Sequence, residues 1–187
     1  MRLFGLVLLM FAAVVAMLAA AAVARISLAS GEGKVQAVAA SYLGTVWQRM
    51  RGDVSMASHI SQVPGGSYLV TVWDPSTGSI LRCREYAVFK EVVAFRDAAP
   101  AAGSCPQPTG NWLDAYTGTA ELASLTGFLH LPKAVMCSLH EAGRVAALWV
   151  QDSLCPAVPW APAATLVTVA RDGKEALVSW PVLWVRR

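Results

Sequence analysis

The sequence predicts an α+β fold in which an N-terminal helix, first transmembrane and then amphipathic, packs on an antiparallel β-sheet stapled by disulfides. Three observations lead there. Residues 3–24 are an apolar run without charge or proline. Residues 33–50 place apolar side chains at helical spacing, and from residue 67 onward the hydrophobic period changes to two, with turn residues between the apolar runs.

The first element is LFGLVLLMFAAVVAMLAAAAVA. As a helix rising 1.5 Å per residue it reaches about 33 Å, which matches the hydrocarbon core of a bilayer. Two fates follow. A retained anchor is favoured by length, while Ala22-Val23-Ala24 before Arg25 has the small-x-small form of a signal-peptidase site. The expected organisation is therefore an anchor or signal segment over 1–30 and one extracytoplasmic domain over 31–187. Charge barely orients the segment, because Arg2 lies on one side and Arg25 and Lys34 on the other.

The cysteines orient it instead. Cys83, Cys105, Cys137 and Cys155 are an even set without CxxC spacing, all downstream of the apolar run, as expected for disulfides in an oxidising compartment. The expected location is the inner membrane, single-pass, with the C-terminal domain in the periplasm or outside the cell. Of the three possible connectivities, local pairing of Cys83 with Cys105 and of Cys137 with Cys155 is preferred. In each pair the second cysteine opens a loop at a following proline, Pro106 or Pro156.

After Ser30-Gly31-Glu32-Gly33, which reads as a joint, a second helix carries Val35, Val38, Ala39, Tyr42, Leu43, Val46, Trp47 and Met50 on one stripe. Tyr42, Val46, Trp47 and Met50 are the candidate interaction residues, expected to dock on the sheet. Residues 68–73 and 79–89 flank Asp74-Pro75-Ser76-Thr77-Gly78 and read as a hairpin. Alternation puts Leu81, Cys83, Ala87 and Phe89 on one face of the second strand and Arg82 and Arg84 on the other. Residues 98–111, rich in Ala, Pro and Gly, read as a loop. Helical spacing of Leu122, Leu125 and Leu129 predicts a helix over 119–129. Residues 132–143 read as a helix or as a strand entering a turn at Glu141-Ala142-Gly143; the strand is preferred, followed by a strand over 145–150. Arg171-Asp172-Gly173-Lys174 joins a final hairpin, whose second strand is an edge or bulged one because of Pro181.

Beyond Gly31 the charges nearly balance, with thirteen Lys and Arg against twelve Asp and Glu and no basic block, which argues against nucleic acid as a partner. No catalytic residue, cofactor or metal site is expected. His130, Cys137, His140 and Cys155 form a conceivable zinc set, yet only Cys137 and His140 are closely spaced. Gly65-Gly66-Ser67 is no nucleophile elbow, no phosphate or dinucleotide loop occurs, and Asp114, Glu121 and Asp152 are dispersed. Arg51-Gly52-Asp53 spells an adhesion tripeptide that chance explains.

An apolar helix continuing into an amphipathic one, then a disulfide-stapled sheet, resembles the ground plan of type IV pilins and pseudopilins. The resemblance implies a bundle-forming segment at Leu3 to Ala24 and Val35 to Met50 laid against the sheet. A prepilin cut would fall after Gly5, and Met10 stands where the family has glutamate at the fifth mature position. QAVAASYLGTVWQRM is similar to the region after the membrane segment in small type IV pilus biogenesis proteins of conjugative elements. The expected function is thus a membrane-anchored structural or accessory component of a type IV pilus or secretion apparatus, with the membrane and other envelope or pilus proteins as partners and oligomers possible. The alternatives are a secreted, disulfide-stabilised binding or adhesion domain released after Ala24, and an envelope enzyme whose site leaves no motif.

Overall fold

A computed structural model describes residues 33–122, 129–155, 163–170 and 172–186. The apolar run 3–24, the joint at 30–32, the positions Gly5 and Met10, Leu125 and Arg171 lie outside the described residues. Among those described, no helix is long and apolar enough to cross a membrane.

The architecture is α+β. Helix α1 spans 33–55 and buries Ala39, Tyr42, Leu43, Val46, Met50 and Val54, so the stripe runs one turn beyond Met50. Val38 was expected on that stripe but is exposed. The helix covers one face of a five-stranded antiparallel sheet in the order β1-β2-β3-β4-β5. These strands are Ala57–Val63, Ser67–Asp74, Ser79–Phe89, Val92–Ala98 and Leu113–Asp114. Registers Tyr68↔Tyr86 and Tyr86↔Phe95 line three aromatic rings across β2, β3 and β4. The Tyr86 and Phe95 rings are tilted with centroids 6.1 Å apart, a favourable aromatic geometry.

Two three-stranded antiparallel sheets complete the core, ordered β11-β8-β7 and β10-β9-β6. Their strands are β6 Leu129–His130, β7 Ala134–Glu141, β8 Arg144–Asp152, β9 Ala163–Ala170, β10 Glu175–Pro181 and β11 Leu183–Trp184. The strand reading of 132–143 is the one adopted. Ala142 and Gly143 both have positive φ, 50° and 76°, and turn β7 into β8. Of the helix expected over 119–129, Leu122 is helical and residues 123–128 lie outside the described residues; the expected bounds are corrected at both ends, where residues 119–121 are not helical and Leu129 pairs with Ala170 in β6. At Leu129 the inter-strand ladder with β9 takes the place of helical continuation. One continuous core joins Leu43, Val46 and Met50 of α1 to Tyr86 of β3, Trp149 of β8, Leu166 of β9 and Trp180 of β10.

Both cysteine pairs are disulfides, Cys83–Cys105 and Cys137–Cys155, with Cα atoms 5.4 and 5.5 Å apart. The first holds the segment after β4 against the sheet face opposite α1, beside Val63 and Leu69. Closing loops of 22 and 18 residues, each stabilises the fold by about 3 kcal/mol in the chain-entropy account.

Candidate interaction surfaces and buried polar clusters

Tyr42, Val46 and Met50 are buried against the sheet, while Trp47 is half-buried at the helix flank with the Arg51 guanidinium 5.1 Å from its ring. Only Trp47 of the four therefore reaches a surface. The Tyr42 ring lies 5.1 Å from Tyr116, on a loop that closes over the helix. Asp114 shapes that loop by accepting from the Tyr116 and Thr117 amides at 2.6 and 3.3 Å. Burial raises the Asp114 pKa against those bonds and the nearby Arg49 charge. Burial, and then the Asp114 charge, also push the Tyr42 phenol far above its usual range.

The arginine face of β3 is turned toward α1, not toward solvent. Arg84 is buried and donates from Nη1 to Asp53 Oδ2 at 2.9 Å. Its Nε and Nη2 fork onto Asp97 at 2.6 and 2.8 Å. Tyr86 Oη donates to the same Asp53 oxygen at 2.6 Å, and Arg82 Nη1 lies 3.6 Å from the other. Burial opposes the Arg84 charge, but the Asp97 bonds and the adjacent Tyr86 and Asp53 outweigh it and raise its pKa. Burial also lifts the Tyr86 phenol, with Asp53 adding to the effect. This cluster locks the end of the helix to β3. It also disposes of the tripeptide: the Asp53 carboxylate is buried and committed, so Arg51-Gly52-Asp53 presents no acid to a receptor.

A second cluster lies on the opposite sheet face. Glu85 is buried and accepts from Ser67 Oγ and, at 2.8 Å, from Arg96 Nε. Arg96 lies 4.5 Å from the Trp112 ring, which stacks on Phe89 at 5.5 Å. Sequence alternation gave no warning of Glu85, since a lone acid in a strand ordinarily faces water. The only available signal was its position opposite Arg96, visible once β4 is known.

The zinc set is undone by the bond between Cys137 and Cys155. Among the described residues no group of three or more His, Cys, Asp or Glu is placed to hold a metal ion. His130 Nδ1 lies 3.5 Å from Glu91 instead.

Surface grooves are found among the described residues. One of about 650 Å³ lies between β1, the β7–β8 turn and β11, and is lined by His59, Arg144, Trp184 and Arg186 among others. Another, about 370 Å³, runs between α1 and β10 over Leu43, Trp47 and Trp180. What the geometry of the described residues defines is a disulfide-stapled domain with a helix-locked sheet and grooves at its sides. No protein-family model matches the chain, and neither the curated proteins nor the solved structures contain a detectable match.

Proposed function

We propose that this protein is a membrane-anchored envelope protein that serves a type IV pilus or related secretion apparatus as a structural or accessory component. Its action is contact with other proteins, not catalysis. The reading is carried by one observation: the amphipathic helix that follows the apolar run in sequence is docked by its apolar stripe on a disulfide-bonded antiparallel domain. Such a helix ties the position of the sheet to whatever precedes it, and disulfides suit a compartment outside the cytoplasm. In this reading the N-terminus is cytoplasmic, the domain faces the periplasm or exterior, and the grooves are open to envelope partners.

Protease treatment of intact spheroplasts tests the topology. Digestion of the C-terminal domain from outside, with the N-terminal segment kept in the membrane, is the expected result. Digestion only after lysis would place the domain in the cytoplasm and end the proposal. The Ala22-Val23-Ala24 motif supports a second reading, a domain released by cleavage, for which the protein would be recovered in the soluble periplasm or medium.

A further inference from the structure

The arginines of the described residues divide into two groups. Arg82 and Arg84 lie on Asp53, Arg96 lies on Glu85, and Arg49 and Arg51 lie against the Phe95 and Trp47 rings. Arg144 and Arg186, by contrast, have neither an acid nor an aromatic ring as partner among the described residues, and both are exposed. One solvated arginine is ordinary on a surface. These two, far apart in the chain, line the same groove of about 650 Å³, where the β1 edge of the five-stranded sheet meets the β11 edge of a three-stranded one. His59 stands on the β1 wall, and the one acid of the lining is Glu141. The groove therefore carries an excess of positive charge that the described fold does not use.

Both of its walls are bent by an extra strand residue. On β1 the register skips Ser58, between Ala57↔Val72 and His59↔Thr71; on β8 it skips Ala146, between Val145↔His140 and Ala147↔Leu139. Ser58 and Ala146 both line the groove. A bulge on an edge strand such as β1 discourages unwanted strand pairing, but β8 is the central strand of its sheet, so that purpose does not account for Ala146. Bulges also re-aim side chains beside binding sites, and here they adjoin His59 and Arg144. Trp184 of β11, 55% exposed, adds a large ring to the same lining. Tryptophan and arginine are the residue types that carry much of the binding energy of protein interfaces.

Position narrows the occupant. Helix α1 is about 33 Å long, and the β1 wall starts at Ala57, directly after its C-terminal end. The chain enters α1 from the apolar run at the other end. In an anchored protein the groove is thus held away from the bilayer, which favours a protein partner over a lipid surface.

We propose that this groove binds an acidic segment of a partner protein. The Arg144 and Arg186 guanidiniums donate charge-assisted, bidentate hydrogen bonds to its carboxylates, and His59 adds a donor from the β1 wall. Trp184 covers an apolar side chain that lies between the acids. The proposal rests on the reading of the domain as a protein-contact module, but it fails separately, because peptide binding is measured independently of membrane topology.

The test is calorimetric titration of the full chain in phosphatidylcholine nanodiscs. The probe is a capped peptide of alternating glutamate and valine; the comparisons are the same peptide with glutamine for glutamate, and inorganic phosphate. Saturable binding of the glutamate peptide, weakened by added salt, is expected. The glutamine peptide, and the double variant Arg144→Gln with Arg186→Gln, should each bind at least about tenfold more weakly, as for other charge-assisted contacts. Far-UV circular dichroism checks that the variant is folded, which is expected because both side chains are exposed and unpaired. Lys34→Gln with Lys133→Gln removes the same charge from exposed positions outside the groove and should leave binding unchanged. No binding, equal binding of the glutamine peptide, or equal losses in the arginine and lysine variants would overturn the proposal. So would displacement of the peptide by phosphate bound as tightly, because the site would then take a small oxyanion in place of a protein segment.

Discussion

Replacing Asp53 by alanine removes the acceptor on which the end of α1 is locked. Arg84, whose side chain is only 10% exposed, would lose its Nη1 partner, and the buried Tyr86 hydroxyl would lose its only acceptor shown. Breaking a buried pair from one side costs about 3–5 kcal/mol, and orphaning a buried hydroxyl about 1–3 kcal/mol. These do not add in full, because Arg84 keeps its fork on Asp97. An overall loss of about 3 kcal/mol is expected. Asp97→Ala is the internal comparison: Asp97 is 44% exposed, and Arg84 retains Asp53, so its loss should be about 1 kcal/mol. Urea unfolding of the oxidised full chain in mild detergent, followed by tryptophan emission, measures both. If Asp53→Ala costs less than about 1 kcal/mol, or less than Asp97→Ala, the helix lock is not the cluster described and the reasoning is refuted.

The remaining predictions concern single groups. Asp114 has a raised folded-state pKa, so its contribution is present in acid and lost as pH rises through that value; the stability of Asp114→Asn relative to the native chain should increase from acid toward neutral pH in paired unfolding curves. Tyr42 and Tyr86 are both raised, so in a spectrophotometric titration these two phenols should resist ionisation above pH 10 until the fold opens, with stability falling over the same range. The β3–β4 turn holds Lys90 and Glu91 at φ of 50° and 63°, and Lys90→Asn with Glu91→Gly should raise stability by about 1 kcal/mol in the urea assay. Replacing Cys137 and Cys155 together by alanine should lower it by about 3 kcal/mol.

The elements legible in the sequence were those whose periodicity or turn chemistry is strong. The α1 stripe, the hairpin around Pro75 and Gly78, the strands around Ala142-Gly143 and the hairpin around Asp172-Gly173 all announced themselves. Strand β4 did not, because its turn uses Lys90 and Glu91 where a tight hairpin favours Asn-Gly. Strand β1, ASHISQV, was missed because only Ile60 and Val63 of its side chains are buried. Alternation correctly separated Arg82 and Arg84 from Leu81 and Cys83, but not which face meets the helix. That face also carries Tyr68, Val70, Tyr86 and Phe95 into the core, and the acid that receives Arg84 there, Asp53, lies thirty-one positions away in the chain. The groove beside β10 was foreshadowed only by Pro181 as the mark of an edge strand, since its other wall is α1, far away in the chain.

The most direct measurement is the intact mass of the protein from its native host, taken unreduced and reduced in separate membrane and soluble fractions. The account predicts a full-length species in the membrane fraction that gains about four mass units on reduction, two hydrogens for each of the two disulfides. A soluble species lacking residues 1–24, or a mass unchanged by reduction, would contradict it.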